Sequence, residues 1–238
     1  LSDVAPDGTV TQVAGAAFNG AHRTSAREPE PLVPGETYDL EIEMHLTSWV
    51  FPVGHRIRLA VNNSQWPMLW PSRYPMTTTL ELGGEASRLL LPVIPFEERP
   101  KPAFLPPVES PRHAGFEPID DGTPSGYGEI ATVEYDTARK STKVTARNNG
   151  AYRYPWGVHR WDEIITHETL DEHPETTSLL GEHRMVMELD GRTLIWEAEL
   201  SFTSDLENFY YDYTRRLLEN GDLVREKNWQ DTIPRDHQ

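Results

Sequence analysis

The sequence predicts an all-β protein, a jelly-roll (galactose-binding-like) β-sandwich followed by a second antiparallel region. Three observations carry the all-β expectation. Polar and apolar side chains alternate at period two over residues 37–49 and again over 193–203, as half-buried antiparallel strands require. Twenty prolines and sixteen glycines among 238 residues break the chain into short elements. Strands also do not alternate with helical patterns, so neither a Rossmann fold nor an α/β-hydrolase core fits.

Residues 1–97 form the first expected domain, with five strands. "DVAPDGTVTQVAGAAF" gives a turn at Pro6-Asp7-Gly8 and then a strand. "EPLVPGE" is a turn cluster. In "TYDLEIEMHLTSW", Tyr38, Leu40, Ile42, Met44 and Leu46 share one face, and Asp39, Glu41, Glu43, His45 and Thr47 share the other. "HRIRLAVN" is the next strand. "TTTLELGGEASRLLLPVI" reads as two strands around Gly83-Gly84, a pair that tolerates positive φ in a tight hairpin.

Residues 98–127 are rich in Pro and Gly and lack periodicity, so they are expected to be a linker crossing a surface. Residues 128–238 are expected to be an antiparallel meander. Leu194, Trp196, Ala198, Leu200 and Phe202 alternate with polar residues, Ile195 being the exception. Asp190-Gly191 between two such runs is a strong hairpin signal. A second hairpin is expected within 132–156, with another turn at Asn148-Asn149-Gly150. The run 206–217 fits either a strand or a helical face; strand is preferred at its start because strands precede it.

The net charge of −16 disfavours nucleic-acid and anionic-membrane partners. The absence of cysteine excludes disulfides, thiolate nucleophiles and Cys-based metal sites. No apolar run approaches the roughly 18–20 residues of a membrane span, and no signal peptide is visible. Localisation stays undetermined, with the cytoplasm favoured. The first residue is Leu1, in what reads as the inside of a domain, so the chain is expected to be a fragment.

Signals of catalysis are weak. The nucleophile-elbow pattern Gly-x-Ser-x-Gly is absent; in "GTPSG" (122–126) Ser125 stands one position late. No phosphate-binding glycine loop occurs. His159, His167, His173 and His183 cluster in sequence with Glu163, Glu168, Asp171, Glu172 and Glu175 but lack metal-ligand spacing. No catalytic, cofactor-binding or metal residue is assigned, and no cofactor is expected. The seven tryptophans read mainly as packing residues.

Four motifs carry a resemblance: "LSDVAPDGTVTQV", "PLVPGETYDLEIEM", "VFPVGHRIRLAVNNSQWPMLWP" and "LLLPVIP", in that order over residues 1–95. Together they resemble the C-terminal β domain of the X-Pro dipeptidyl-peptidase and cocaine-esterase class of serine hydrolases, acyl esterases included. The resemblance implies a jelly roll, its first strands lying before Leu1, that packs on an α/β-hydrolase domain carrying the triad and helps close the acyl pocket. Residues 98–238 extend past the usual family domain, and "WQDTIPRDHQ" is similar to the tail of longer relatives.

By alternation, His55 points with Ile57, Leu59 and Val61, as a core histidine bonded to backbone. Arg56 and Arg58 would then form ladder pairs with Glu41 or Glu43. "NNSQWPMLWPS" is a loop whose prolines fix two tryptophans; Trp66, Trp70 and Asn63 are the candidate pocket-lid or interface residues.

The expected function is therefore the non-catalytic C-terminal region of a serine hydrolase. Its expected partner is the α/β-hydrolase domain of the same parent chain, with homo-oligomerisation left open. The alternative is an independent carbohydrate- or small-ligand-binding β module. A further reading closes the meander into a barrel with a lipophilic cavity.

Overall fold

The computed structural model describes residues 1–83, 86–95, 97, 100, 102–108, 111, 114–119 and 131–237. Apart from one short 3-10 turn at Gly20–His22, its regular elements among the described residues are all β, as the patterning predicts.

A small antiparallel sheet holds the N-terminal part together. Its strands are β1 (Ser2–Val4), β2 (Val10–Gln12) and β3 (Arg56–Arg58), in the order β2-β1-β3. The β1–β2 turn falls at the anticipated Pro6-Asp7-Gly8. Gly8 adopts φ +90°, and the Asp7 carboxylate accepts the Thr9 N–H at 2.9 Å. That bond holds the Asp7 carboxyl below its ordinary range.

Three of the five strands expected in residues 1–97 do not form. The segments 37–49, 77–82 and 87–94 lie outside regular structure, and Gly84 of the expected hairpin lies outside the described residues. Alternation specifies which face a strand would present, but a strand needs a hydrogen-bonded ladder with a neighbour, and among the described residues these segments have none; 37–49 makes a single backbone bond, from the His45 N–H to Gly15 O. Leu40, Ile42 and Leu46 are 46%, 48% and 99% exposed. β3 pairs with β1, so Arg56 faces Val4 and Arg58 faces Ser2. The expected pairs with Glu41 and Glu43 are not made. Half of the linker read over 98–127 lies outside the described residues, Ser125 included.

The second sheet is a long meander. It contains β4 (Glu117–Pro118), β5 (Thr132–Asp136), β6 (Ser141–Tyr154), β7 (Gly157–Leu170), β8 (Ser178–Leu189), β9 (Arg192–Ser204), β10 (Asn208–Glu219) and β11 (Asp222–Pro234). The order is β11-β10-β9-β8-β7-β6-β4, with β5 also on β6. Among the described residues its two edges do not meet, so it is an open sheet and not a closed barrel. The hairpins at Asp190-Gly191 and Asn220-Gly221 use positive φ where the sequence supplies Gly and Asn. The ambiguous 206–217 run is strand.

The turn expected at Asn148-Asn149-Gly150 is instead the middle of β6. Gly150 serves as a bed for an indole: a Cβ there would lie 2.5 Å from the Trp161 ring, which stacks on Tyr152.

The two faces of the meander differ in chemistry. One carries Arg160–Glu188, Arg184–Glu197, Arg216–Glu199 and Arg216–Glu226 ion pairs, a solvated ladder whose exposed members contribute about 1 kcal/mol or less each. Ile195, the exception to the β9 alternation, lies on this face between Val186 and Leu218. The other face is apolar and aromatic: Trp161, Ile165, Met185, Trp196, Leu200, Phe202, Phe209 and Tyr213.

Candidate functional site

The tryptophan loop of residues 62–73 meets the aromatic face at one end. Trp70 packs edge-on against Phe202 and Phe209, with ring centroids 5.0 and 5.8 Å apart. Its Nε1 donates to Ser204 Oγ at 3.0 Å. Trp66 meets Trp70 edge-on at 6.0 Å and His167 at 5.8 Å. Such aromatic pairs add about 0.5–1.5 kcal/mol each beyond area burial. Arg73 Nη1 donates to Leu206 O at 3.0 Å. Asn63 is not part of this junction: its side chain donates to Met76 O and accepts from Thr78 Oγ1, holding the 76–78 segment.

Arg235 closes the junction from the C-terminal side, a role that sequence reasoning missed. It is 1% exposed. Nη2 donates to Pro71 O and Nη1 to Asp205 O, both at 2.9 Å, with a longer bond to Glu175 O at 3.3 Å. The guanidinium lies 4.8 Å from the Phe209 ring centroid. One side chain thereby links the tryptophan loop, the β7–β8 connection and the β9–β10 turn. Burial, reinforced by the Arg73 charge, pushes the Arg235 pKa down. The beginning of "PRDHQ" gives no sign of this, because a lone arginine after a strand reads as a solvated charge.

His55 does not make the expected backbone bond. Its Nδ1 lies 2.8 Å from Oδ1 of Asp3, which is 4% exposed, and the other Asp3 oxygen accepts the Trp49 indole N–H at 3.1 Å. A buried carboxylate needs such partners. This carboxylate fastens β1 to Trp49 and His55. The Asp3–His55 pair thereby acts as a brace between β1 and the start of β3.

Of the clustered histidines, His159, His167 and His183 lie on the aromatic face and His173 at the β7–β8 connection. Among the described residues no group of three His, Asp or Glu side chains converges to hold a metal ion. Burial lowers the His159 and His167 pKa values, and the His183 charge adds to the effect at His159.

Fold and junction together define an all-β protein whose N-terminal segment is locked onto an open meander. Its kinship comes from the sequence. Residues 1–91 match the family described as the X-Pro dipeptidyl-peptidase C-terminal non-catalytic domain, in agreement with the four motifs. The chain is also similar to a Streptomyces avermitilis protein named "Putative Xaa-Pro dipeptidyl-peptidase", 35% identical over 70 residues. That match covers 29% of this chain and 10% of the relative, so the chain spans only a small part of the relative's length. No solved structure matches the chain.

Proposed function

We propose that this chain is the non-catalytic C-terminal region of a serine hydrolase of the X-Pro peptidase or acyl-esterase type. Residues 1–97 supply a jelly-roll part that packs on an α/β-hydrolase domain and shapes its substrate pocket. The meander is carried alongside through the Trp66–Trp70 and Arg235 junction.

The observation that carries this reading is uncovered apolar surface coinciding with the family match. A folded monomer of this mass exposes about 11,000 Å², whereas this chain exposes 18415 Å². Within residues 1–91, Leu46, Val50, Leu82 and Leu90 are 99%, 81%, 80% and 73% exposed. A catalytic domain seated there would bury these side chains and supply ladder partners for 37–49.

Two measurements test the proposal. The coding frame upstream of Leu1 is expected to encode an α/β-hydrolase segment with Gly-x-Ser-x-Gly, and a start codon immediately before Leu1 would overturn the reading. The chain alone is expected not to hydrolyse p-nitrophenyl acetate; turnover abolished by a serine-directed phosphonate would overturn the non-catalytic assignment. Trp66 and Trp70 contact each other, His167, Phe202 and Phe209, which gives no support to sugar stacking at these rings.

A further inference from the structure

The aromatic face of the meander contains an open hollow of about 400 Å³, bordered through Leu179 by the His167 and Phe202 end that the tryptophan loop covers. This is at the small end of ligand sites. Two cross-strand rows of side chains form its floor. Ile165, Gly181, Leu200 and Tyr213 are successive partners across β7, β8, β9 and β10. Glu163, His183, Ala198 and Arg215 form the adjacent row. Gly181 and Ala198 are the small residues of its lining, which also includes Met185, Trp196 and Leu200.

The polar groups of the second row are unevenly satisfied. Glu163 lies 3.4 Å from His183 Nδ1, a buried nitrogen that makes no hydrogen bond among the described residues. Among the described residues Arg215 has no carboxylate or carbonyl partner. Its neighbour across to β11, Lys227, has among the described residues only the Trp229 ring, 4.5 Å from its Nζ. On the opposite face Arg160, Arg184 and Arg216 each meet a glutamate. Three carboxylates also line the hollow, but Glu182 and Glu197 belong by register to the opposite face, which leaves Glu163 on this one. In a chain of net charge −16, the exposed Arg215 and Lys227 at its rim favour an anionic group there. The planar guanidinium suits a carboxylate, which it binds through two parallel bonds.

We propose that this hollow binds an amphipathic carboxylate, an alkyl or aryl-alkyl acid. Its tail lies over Gly181 and Ala198, and its carboxylate meets Arg215. Every residue of the hollow lies outside residues 1–91, so this inference and the hydrolase reading stand or fall separately.

The test is calorimetric titration of the whole chain with decanoate below its micellar concentration, alongside decanol and decyltrimethylammonium. Saturable one-to-one binding of decanoate, at least tenfold tighter than of either other amphiphile, is expected. Arg215→Gln should weaken decanoate at least tenfold and leave decanol unchanged. A Cβ at Gly181 would meet nothing closer than Leu200 Cβ at 3.6 Å, so the backbone accepts a side chain there. Gly181→Leu should therefore fill the hollow and abolish binding, with Ala198→Leu as the second variant if the first melts early. No saturable binding, equal binding of the three amphiphiles, or full binding by a folded filled variant would overturn the proposal.

Discussion

Truncating Arg235 should cost more stability than removing any surface charge of this chain, and the structure sets the size of the effect. Its two 2.9 Å bonds, to Pro71 O and Asp205 O, come from a charged donor. Such bonds are worth about 1.5–3 kcal/mol each, and the contact with Phe209 adds about 1–2 kcal/mol where water is excluded. Burying the guanidinium offsets several kcal/mol of this, so the intact residue yields only a modest net gain. Removal is not the mirror image of that gain. Arg235→Ala leaves the carbonyls of Pro71, Asp205 and Glu175 without this donor and opens a void against Phe209, which is 8% exposed. The expected loss is about 3–4 kcal/mol, as for other broken buried polar groups.

Arg235→Lys keeps the charge but replaces the fork with a single ammonium that cannot serve both sides of the junction, and about 2 kcal/mol should be lost. Urea unfolding of the whole chain, followed by tryptophan fluorescence, measures both variants. An alanine variant within 1 kcal/mol of wild type, or full rescue by lysine, would refute the clamp.

The remaining predictions concern the same framework. Trp70→Ala removes the contacts with Phe202 and Phe209 and the bond to Ser204, and should destabilise the chain by about 3 kcal/mol; Trp70→Phe should lose only about 1 kcal/mol, and equal losses would disprove a specific role for the indole N–H. Asp3→Ala strands the Trp49 N–H and deprives His55 of its partner, for an expected loss of about 2 kcal/mol in urea unfolding; an unchanged midpoint would contradict the brace. His159 and His167 have lowered folded-state pKa values, so between those values and the unfolded value of about 6.5 the unfolded chain binds more protons. Their stabilisation is present above that pH and is lost as pH falls through the lowered values. Thermal melts from pH 7.5 down to pH 5 should show this decline, attenuated in His167→Phe; an unaltered slope in that variant would exclude His167 as a source.

Much of the meander was legible in the sequence because its elements are locally encoded. Alternation fixed its faces, and Asp190-Gly191 fixed a hairpin. Misreadings arose where a distant residue decided the outcome. Asn148-Asn149-Gly150 has turn composition, but Trp161 on the next strand requires a glycine in β6. His55 sat on an apolar pattern, but its partner is a carboxylate more than fifty positions earlier. Alternation over 37–49 could not reveal whether a neighbouring strand exists. At the candidate site, prolines and tryptophans made the loop conspicuous, whereas Arg235 carried no local signal because its three acceptors lie on three separate segments.

The two parts of the chain satisfy their surfaces by different means, and this bears on where further partners belong. The meander neutralises one face internally, arginine against glutamate on adjacent strands. It covers one end of its aromatic face with Trp66 and Trp70. Among the described residues the N-terminal part has no comparable cover: it relies on three-residue strands and the Asp3 brace, while Leu46 and Leu82 stand in solvent. Short ladders of that kind cannot hold a sheet without packing on one face. A partner that adds strands beside 37–49 would satisfy both the backbone and the apolar face of that segment, because the alternation already separates Leu40, Ile42, Met44 and Leu46 from Glu41 and Glu43. A partner that merely covered the segment would leave its amides and carbonyls without a ladder, the bond from the His45 N–H to Gly15 O excepted. The physical demand of the N-terminal part is therefore for strand pairing as well as burial, and that of the meander is for an anionic, apolar occupant of its hollow.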